Sequence, residues 1–113
     1  MGLMSRRRAS SDAIAPERVH LVGAGGVHMS AIGQLLLARG HTITGSDLAP
    51  SDYTRRLEQQ GATIYDGHSA ANIGEAQLLV ATAAAKQDNP ELVAANERGV
   101  PVILRAEMVQ RLI

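Results

Sequence analysis

A short apolar run, Val19-His20-Leu21-Val22, leads into Gly23-Ala24-Gly25-Gly26-Val27-His28-Met29-Ser30, and a segment with helical periodicity follows. Strand, glycine turn and helix in that order restrict the fold more than any other feature of the chain. Glycines let the backbone bend sharply and approach a ligand closely. The first N–H groups of the following helix have no partner within it and suit an anion. The segment therefore predicts a βα unit whose turn can cradle phosphate.

The rest of the chain repeats that alternation. Met29, Ile32, Leu35, Leu36 and Leu37 mark a helix ending near Arg39-Gly40, and His41–Gly45 carries the β-branched pattern of a second strand. Asp52–Gln60 reads as a helix closed by Gly61, Ala62–Tyr65 as strand three, and Asp66-Gly67-His68 as a turn. Ser69 is placed to cap a short helical turn through Ile73. Gln77–Thr82 is the most apolar strand and belongs at the sheet centre. Pro90 opens a helix to about Arg98 with Asn89 as its cap, and Gly99 ends it. Pro101–Leu104 is strand five, and Ala106–Ile113 forms a last helix. Five alternations with right-handed crossovers predict an α/β fold. Its form is a Rossmann-like, doubly wound five-stranded parallel sheet of order 3-2-1-4-5, with helices on both faces.

Composition narrows the function classes. With 113 residues the chain holds one domain, and 45% hydrophobic residues without Phe or Trp give it an aliphatic core. Lys plus Arg equals Asp plus Glu at 11 each, and two tyrosines offer no base-stacking platform, so no nucleic-acid partner is expected. Without cysteine there is no disulfide, thiolate metal site or cysteine nucleophile. No apolar run approaches the ~18 residues that span a bilayer, so neither a membrane partner nor a location outside the cytoplasm is expected. Residues 1–16, with Arg6-Arg7-Arg8, lack apolar periodicity and read as a disordered arm before a domain over residues 17–113.

Several residues can carry chemistry. A dinucleotide fingerprint has glycine at its first, third and sixth positions. Gly23 and Gly25 fit, but His28 stands sixth, where a glycine would let helix and strand approach, so an altered helix start is expected. Asp47 follows Gly25 by 22 residues at the end of strand two, the place of an acid that accepts from ribose hydroxyls; a helix-capping role is its alternative. His68 lies at the ligand-facing edge, either as a ligand contact or as a hydrogen-bonded structural residue. His20 and His41 read as structural, and no histidine pair has a supporting carboxylate at metal-ligand spacing, so no metal is expected. Thr82-Ala83-Ala84-Ala85 either leaves room for a ligand or packs a tight connection. Asn89-Pro90-Glu91 reads as a helix start.

Together these segments resemble the N-terminal domain of the Mur ligase family, in the branch that joins L-alanine to UDP-N-acetylmuramate. The family opening, His-hydrophobic-hydrophobic-Gly-x-Gly-Gly-x-Gly-Met-Ser, is matched by His20 through Ser30, except that His28 replaces a glycine. Gly45-Ser46-Asp47, Gly67-His68, Asp88 to Leu92 and Arg105-Ala106-Glu107-Met108 match further family motifs in order, covering nearly everything from Arg18 onward. Ala83 to Ala85 is blander than the family's Ser-Ala-Ile-like run. The resemblance implies that this domain binds the UDP part of UDP-N-acetylmuramate. Gly23, Gly25, Gly26, Val27, His28, Met29 and Ser30 would hold the pyrophosphate, Ser46 and Asp47 would face the uridine, and His68 with Thr82 would lie near the nucleotide. It implies that the complete enzyme uses ATP and Mg²⁺ to activate the muramate carboxylate as an acyl phosphate for attack by L-alanine. No Gly-x-x-x-x-Gly-Lys-Ser/Thr loop is present. The central ATP-binding and C-terminal domains would thus be absent, leaving a domain with no cofactor and no catalysis of its own. An NAD-binding domain of a dehydrogenase, a murein peptide ligase relative, and an interaction domain with an empty cleft are the alternatives.

Overall fold

The computed structural model describes residues 14–113. Its elements alternate as β1 (Arg18–Val22), α1 (Val27–Ala38), β2 (Thr42–Asp47), α2 (Asp52–Gln59), β3 (Thr63–Asp66), a 3-10 turn (Ala70–Ile73), β4 (Leu78–Ala81), α3 (Pro90–Arg98), β5 (Val102–Leu104) and α4 (Arg105–Leu112). All four strand pairings are parallel and the order is β3-β2-β1-β4-β5, as the alternation predicts. All five strands therefore end at one edge, and the order reverses beside β1, where this class of sheet opens a crevice.

Period-two alternation along the strands divides the core. Val19 and Leu21 of β1, with Leu78 and Val80 of β4, face α1, α2 and α4, where Met29, Ile32, Leu36, Leu57 and Met108 pack. Val22 of β1 and Leu79 and Ala81 of β4 face the other side, where Ile73, Ala94 and Ala95 cover them. Three helices thus lie on one face, and α3 with the 3-10 turn on the other. His20 points to this second, thinner side and is wholly buried.

Local chemistry explains the element ends. Ser51 and Thr54 form a reciprocal capping box at the start of α2. Asn89 Oδ1 accepts the Glu91 N–H at 2.9 Å with Pro90 in the first turn of α3, and Gly99 closes it at φ +72°. Ser69 departs from expectation. It precedes the 3-10 turn but makes no side-chain cap, its carbonyl taking the Asn72 N–H instead. β2 runs two residues further than its β-branched pattern suggests, because Ser46 and Asp47 keep their register with Tyr65 and Asp66 of β3. Of the arm expected over residues 1–16, residues 14–16 are packed. Ala15 is in the core and the Pro16 carbonyl meets His41 Nδ1 at 2.7 Å. Residues 1–13 lie outside the described residues.

Gly45 sits where the glycine turn crosses β2. A Cβ there would lie 2.7 Å from Ala24 Cβ and 3.2 Å from the Leu21 carbonyl oxygen. Gly45→Ala is expected to cost about 1–3 kcal/mol by overpacking, and to lower Tm by roughly 4–8 °C per kcal/mol. Thermal denaturation followed by circular dichroism checks this.

Candidate functional site

The glycine turn lies at the carboxyl edge of the sheet and is held there by β2. Gly23, at φ +83°, takes the left-handed conformation that bends the chain out of β1. The Gly23 and Ala24 N–H groups both donate to the Ser46 carbonyl at 2.8 Å. The Gly25 N–H donates to Asp47 Oδ2 at 2.8 Å, and a Cβ on Gly25 would sit 2.8 Å from that same oxygen. Glycine is needed here so that the Asp47 carboxylate can close on the turn. Ser51 caps α2, so Asp47 is free of that task.

Gly26 then precedes α1 in an extended conformation, and the first helical bond runs from Ser30 N–H to its carbonyl at 2.8 Å. The N–H groups of Val27, His28 and Met29 come before that bond, with no capping side chain and no acid in the first turn. They form an open, positively polarised end. Val27 and His28 are exposed, whereas the Met29 and Ser30 side chains are buried, the Ser30 hydroxyl lying 3.4 Å from Gln34 Nε2. His28 lies outside the close approach of helix to sheet. That approach is made at Gly33, where a Cβ would lie 2.9 Å from Leu21 Cδ1.

Beside the turn is a buried carboxylate that sequence reasoning took only for part of a helix start. Glu91 is fully buried and receives four donors. His20 Nε2 and Ser46 Oγ reach Oε1 at 2.8 and 2.7 Å. The Ser69 N–H and Asn72 Nδ2 reach Oε2 at 3.1 and 2.8 Å. Because a carboxylate only accepts, His20 donates from Nε2, and its Nδ1 lies 2.7 Å from the Thr44 hydroxyl. Burial pushes the Glu91 carboxyl up, but hydrogen bonds from His20, Ser46 and Asn72, with the electrostatic influence of His20, bring it down to about 2. Asn72 also donates to the Gly67 carbonyl at 3.1 Å, fixing the turn that carries His68. His68 Nδ1 lies 2.9 Å from Ser46 Oγ.

The structure thus brings Gly23, Gly25, Ser46, Asp47 and His68 into one hydrogen-bonded group. Thr82 stands past the end of β4 at the same edge with its carbonyl accepting from Ala85 N–H, and its side chain does not join that group. A shallow cleft of about 200 Å³, lined in part by Asp47, Pro50, Thr54 and Asp66, opens between β2, β3 and α2. Among the described residues no three His, Cys, Asp or Glu side chains are placed to share a metal, and no helix is long and apolar enough to cross a membrane.

A carboxyl held below its ordinary value of 4.5 stabilises the fold above that value and loses the contribution as pH falls through the folded value of about 2. Glu91→Gln is expected to cost about 3 kcal/mol at pH 7, from 1.36 kcal/mol per pKa unit. The difference from wild type should shrink steadily from about pH 4.5 to about pH 2. Urea denaturation of both proteins across that range measures it.

The family model described as "Mur ligase family, catalytic domain" matches residues 18–113. The chain is 50% identical over 95 residues to UDP-N-acetylmuramate–L-alanine ligase of Myxococcus xanthus, covering 84% of this chain and 20% of that one. Among solved structures it resembles UDP-N-acetylmuramate-alanine ligase MurC of Thermotoga maritima. There the TM-score is 0.77 and the identity 34%, over 80% of this chain and 21% of that one. A murein peptide ligase of Psychrobacter arcticus superposes with TM-score 0.77 at 27% identity, over 86% of this chain and 21% of that one. The chain spans about a fifth of the length of the curated relatives it matches. By the match over residues 18–113 and by its fold, the chain belongs to the Mur ligase family.

Proposed function

We propose that residues 17–113 form a domain that binds the UDP half of UDP-N-acetylmuramate, within a cytoplasmic enzyme that joins L-alanine to the muramate carboxyl in peptidoglycan synthesis. The observation that carries this reading is the uncapped first turn of α1 beside Asp47. The chain is half identical to ligases whose names contain that nucleotide sugar. The diphosphate rests on the N–H groups of Val27, His28 and Met29, with Ser30 behind them, because the helix end offers positive charge and unpaired donors together. Gly23 sets the bend, and Gly25 and Gly26 keep the approach clear. Asp47 faces the uridine, with His68 and Thr82 beside the nucleotide. Ser46, wholly buried with its hydroxyl held by Glu91 and His68, supports the site from behind instead of facing the uridine as the resemblance implies.

ATP and Mg²⁺, which the resemblance implies for the complete enzyme, do not fit these residues. The sequence has no Gly-x-x-x-x-Gly-Lys-Ser/Thr loop, and the described residues form no metal-binding cluster. No step of the ligation is therefore assigned to this chain, and the domain alone is expected to be inactive. Nucleic acid and membrane are not among its partners.

Thermal shift and titration calorimetry test the reading. UDP and UDP-N-acetylmuramate should raise Tm, whereas NAD and ATP should not. A ligand at a hundred times its Kd stabilises by about 2.7 kcal/mol. Folded protein giving neither heat nor a shift with millimolar UDP-N-acetylmuramate would sink it. Asp47→Ala should weaken UDP binding about tenfold and cost about 1 kcal/mol of stability through the lost Gly25 hydrogen bond. A large stability loss with unchanged affinity would instead make Asp47 a purely structural residue.

A further inference from the structure

The hydrogen bonds around Ser46 determine where the proton of His68 sits. Glu91 is a carboxylate and cannot donate, so the Ser46 hydroxyl hydrogen points to Oε1 at 2.7 Å. The Ser46 oxygen then has only lone pairs to offer to His68 Nδ1, 2.9 Å away. Nδ1 must therefore carry hydrogen. Glu91 Oε2 lies 3.7 Å from Nδ1, beyond a direct bond, so the influence passes through Ser46. The opposite ring nitrogen, Nε2, makes no hydrogen bond within the described residues and is not buried, the side chain being 19% exposed.

We propose that Glu91 is a positioning residue which, through the Ser46 hydroxyl, keeps a hydrogen on Nδ1 of His68, so that the uncharged form of the ring presents Nε2 as a hydrogen-bond acceptor for a hydroxyl of the nucleoside. This rests on the UDP reading above and sharpens it. An outward lone pair attracts a ribose O–H and repels phosphate oxygen, which is also an acceptor. His68 then recognises the nucleoside half of the ligand, and the diphosphate is left to the start of α1. The choice is made by a buried carboxylate that never touches the ligand. A free histidine side chain in water favours hydrogen on Nε2, so the arrangement works against the intrinsic preference of the ring.

Long-range proton–nitrogen NMR of the ¹⁵N-labelled protein at pH 8.5 reads the tautomer without any ligand. Wild type should show His68 hydrogen on Nδ1, and Ser46→Ala should shift it predominantly to Nε2 with the fold intact. Glu91→Gln should loosen the preference likewise, and if it fails to fold, Ser46→Ala alone decides. Hydrogen on Nε2 in wild type, or no change in Ser46→Ala, overturns the proposal. Titration then separates the ligand halves. Uridine and UDP should move the Nε2 resonance while pyrophosphate leaves it in place, and Ser46→Ala should bind UDP about tenfold more weakly. Movement with pyrophosphate and none with uridine would overturn the assignment of His68 to the nucleoside. Should UDP fail to bind at all, the UDP reading falls together with that assignment, while the tautomer still decides the role of Glu91.

Discussion

Ser46 joins two systems that would otherwise be independent. Its carbonyl takes the Gly23 and Ala24 N–H groups, and its hydroxyl bridges Glu91 and His68. The first set fixes the glycine turn on β2; the second ties β2 to α3 and to the turn after β3. A buried hydroxyl that both donates and accepts is strongly directional, since losing either partner leaves a polar group without water. The carboxyl edge of the sheet therefore behaves as one unit. Glu91 remains charged in the interior because four donors surround it.

Most of this architecture was legible in the sequence, and the exceptions share a cause. Aliphatic runs separated by glycine turns gave the strands, their order and the helix stops, because burial in a parallel sheet leaves a continuous apolar signature. The end of β2 was obscured. Ser46 and Asp47 look like loop residues, yet Ser46 pairs with both β1 and β3 and Asp47 with β3. Glu91 was hidden by its position in a helix start, where an acid is ordinary. Its true signal was spacing: Glu91, Ala94 and Ala95 fall at i, i+3 and i+4, on the face that α3 buries. A histidine in an otherwise apolar strand supplied the other half, since a buried imidazole at position 20 demands a partner. Neither clue identifies that partner without the fold, because 71 residues separate the two.

The site also shows how a fingerprint can change without losing its geometry. Close packing of helix on strand, which the sixth-position glycine usually serves, is taken over here by Gly33. His28 is thereby released to the surface. The acid after strand two grips the turn itself through Gly25, so its position is set by the fold. Such preorganisation lowers the ordering cost of binding.

Gly26 carries a consequence of a different kind. Its backbone, at φ −69° and ψ 146°, is extended, and a Cβ there would meet nothing closer than 3.7 Å. Serine or aspartate would fit, and either would cap α1 and stabilise the isolated fold by about 1 kcal/mol. It would also occupy the amides that an anion needs. The same three N–H groups can thus serve the stability of the empty protein or its capacity for a ligand, but not both. A glycine at this position leaves the helix unfinished and its first amides open.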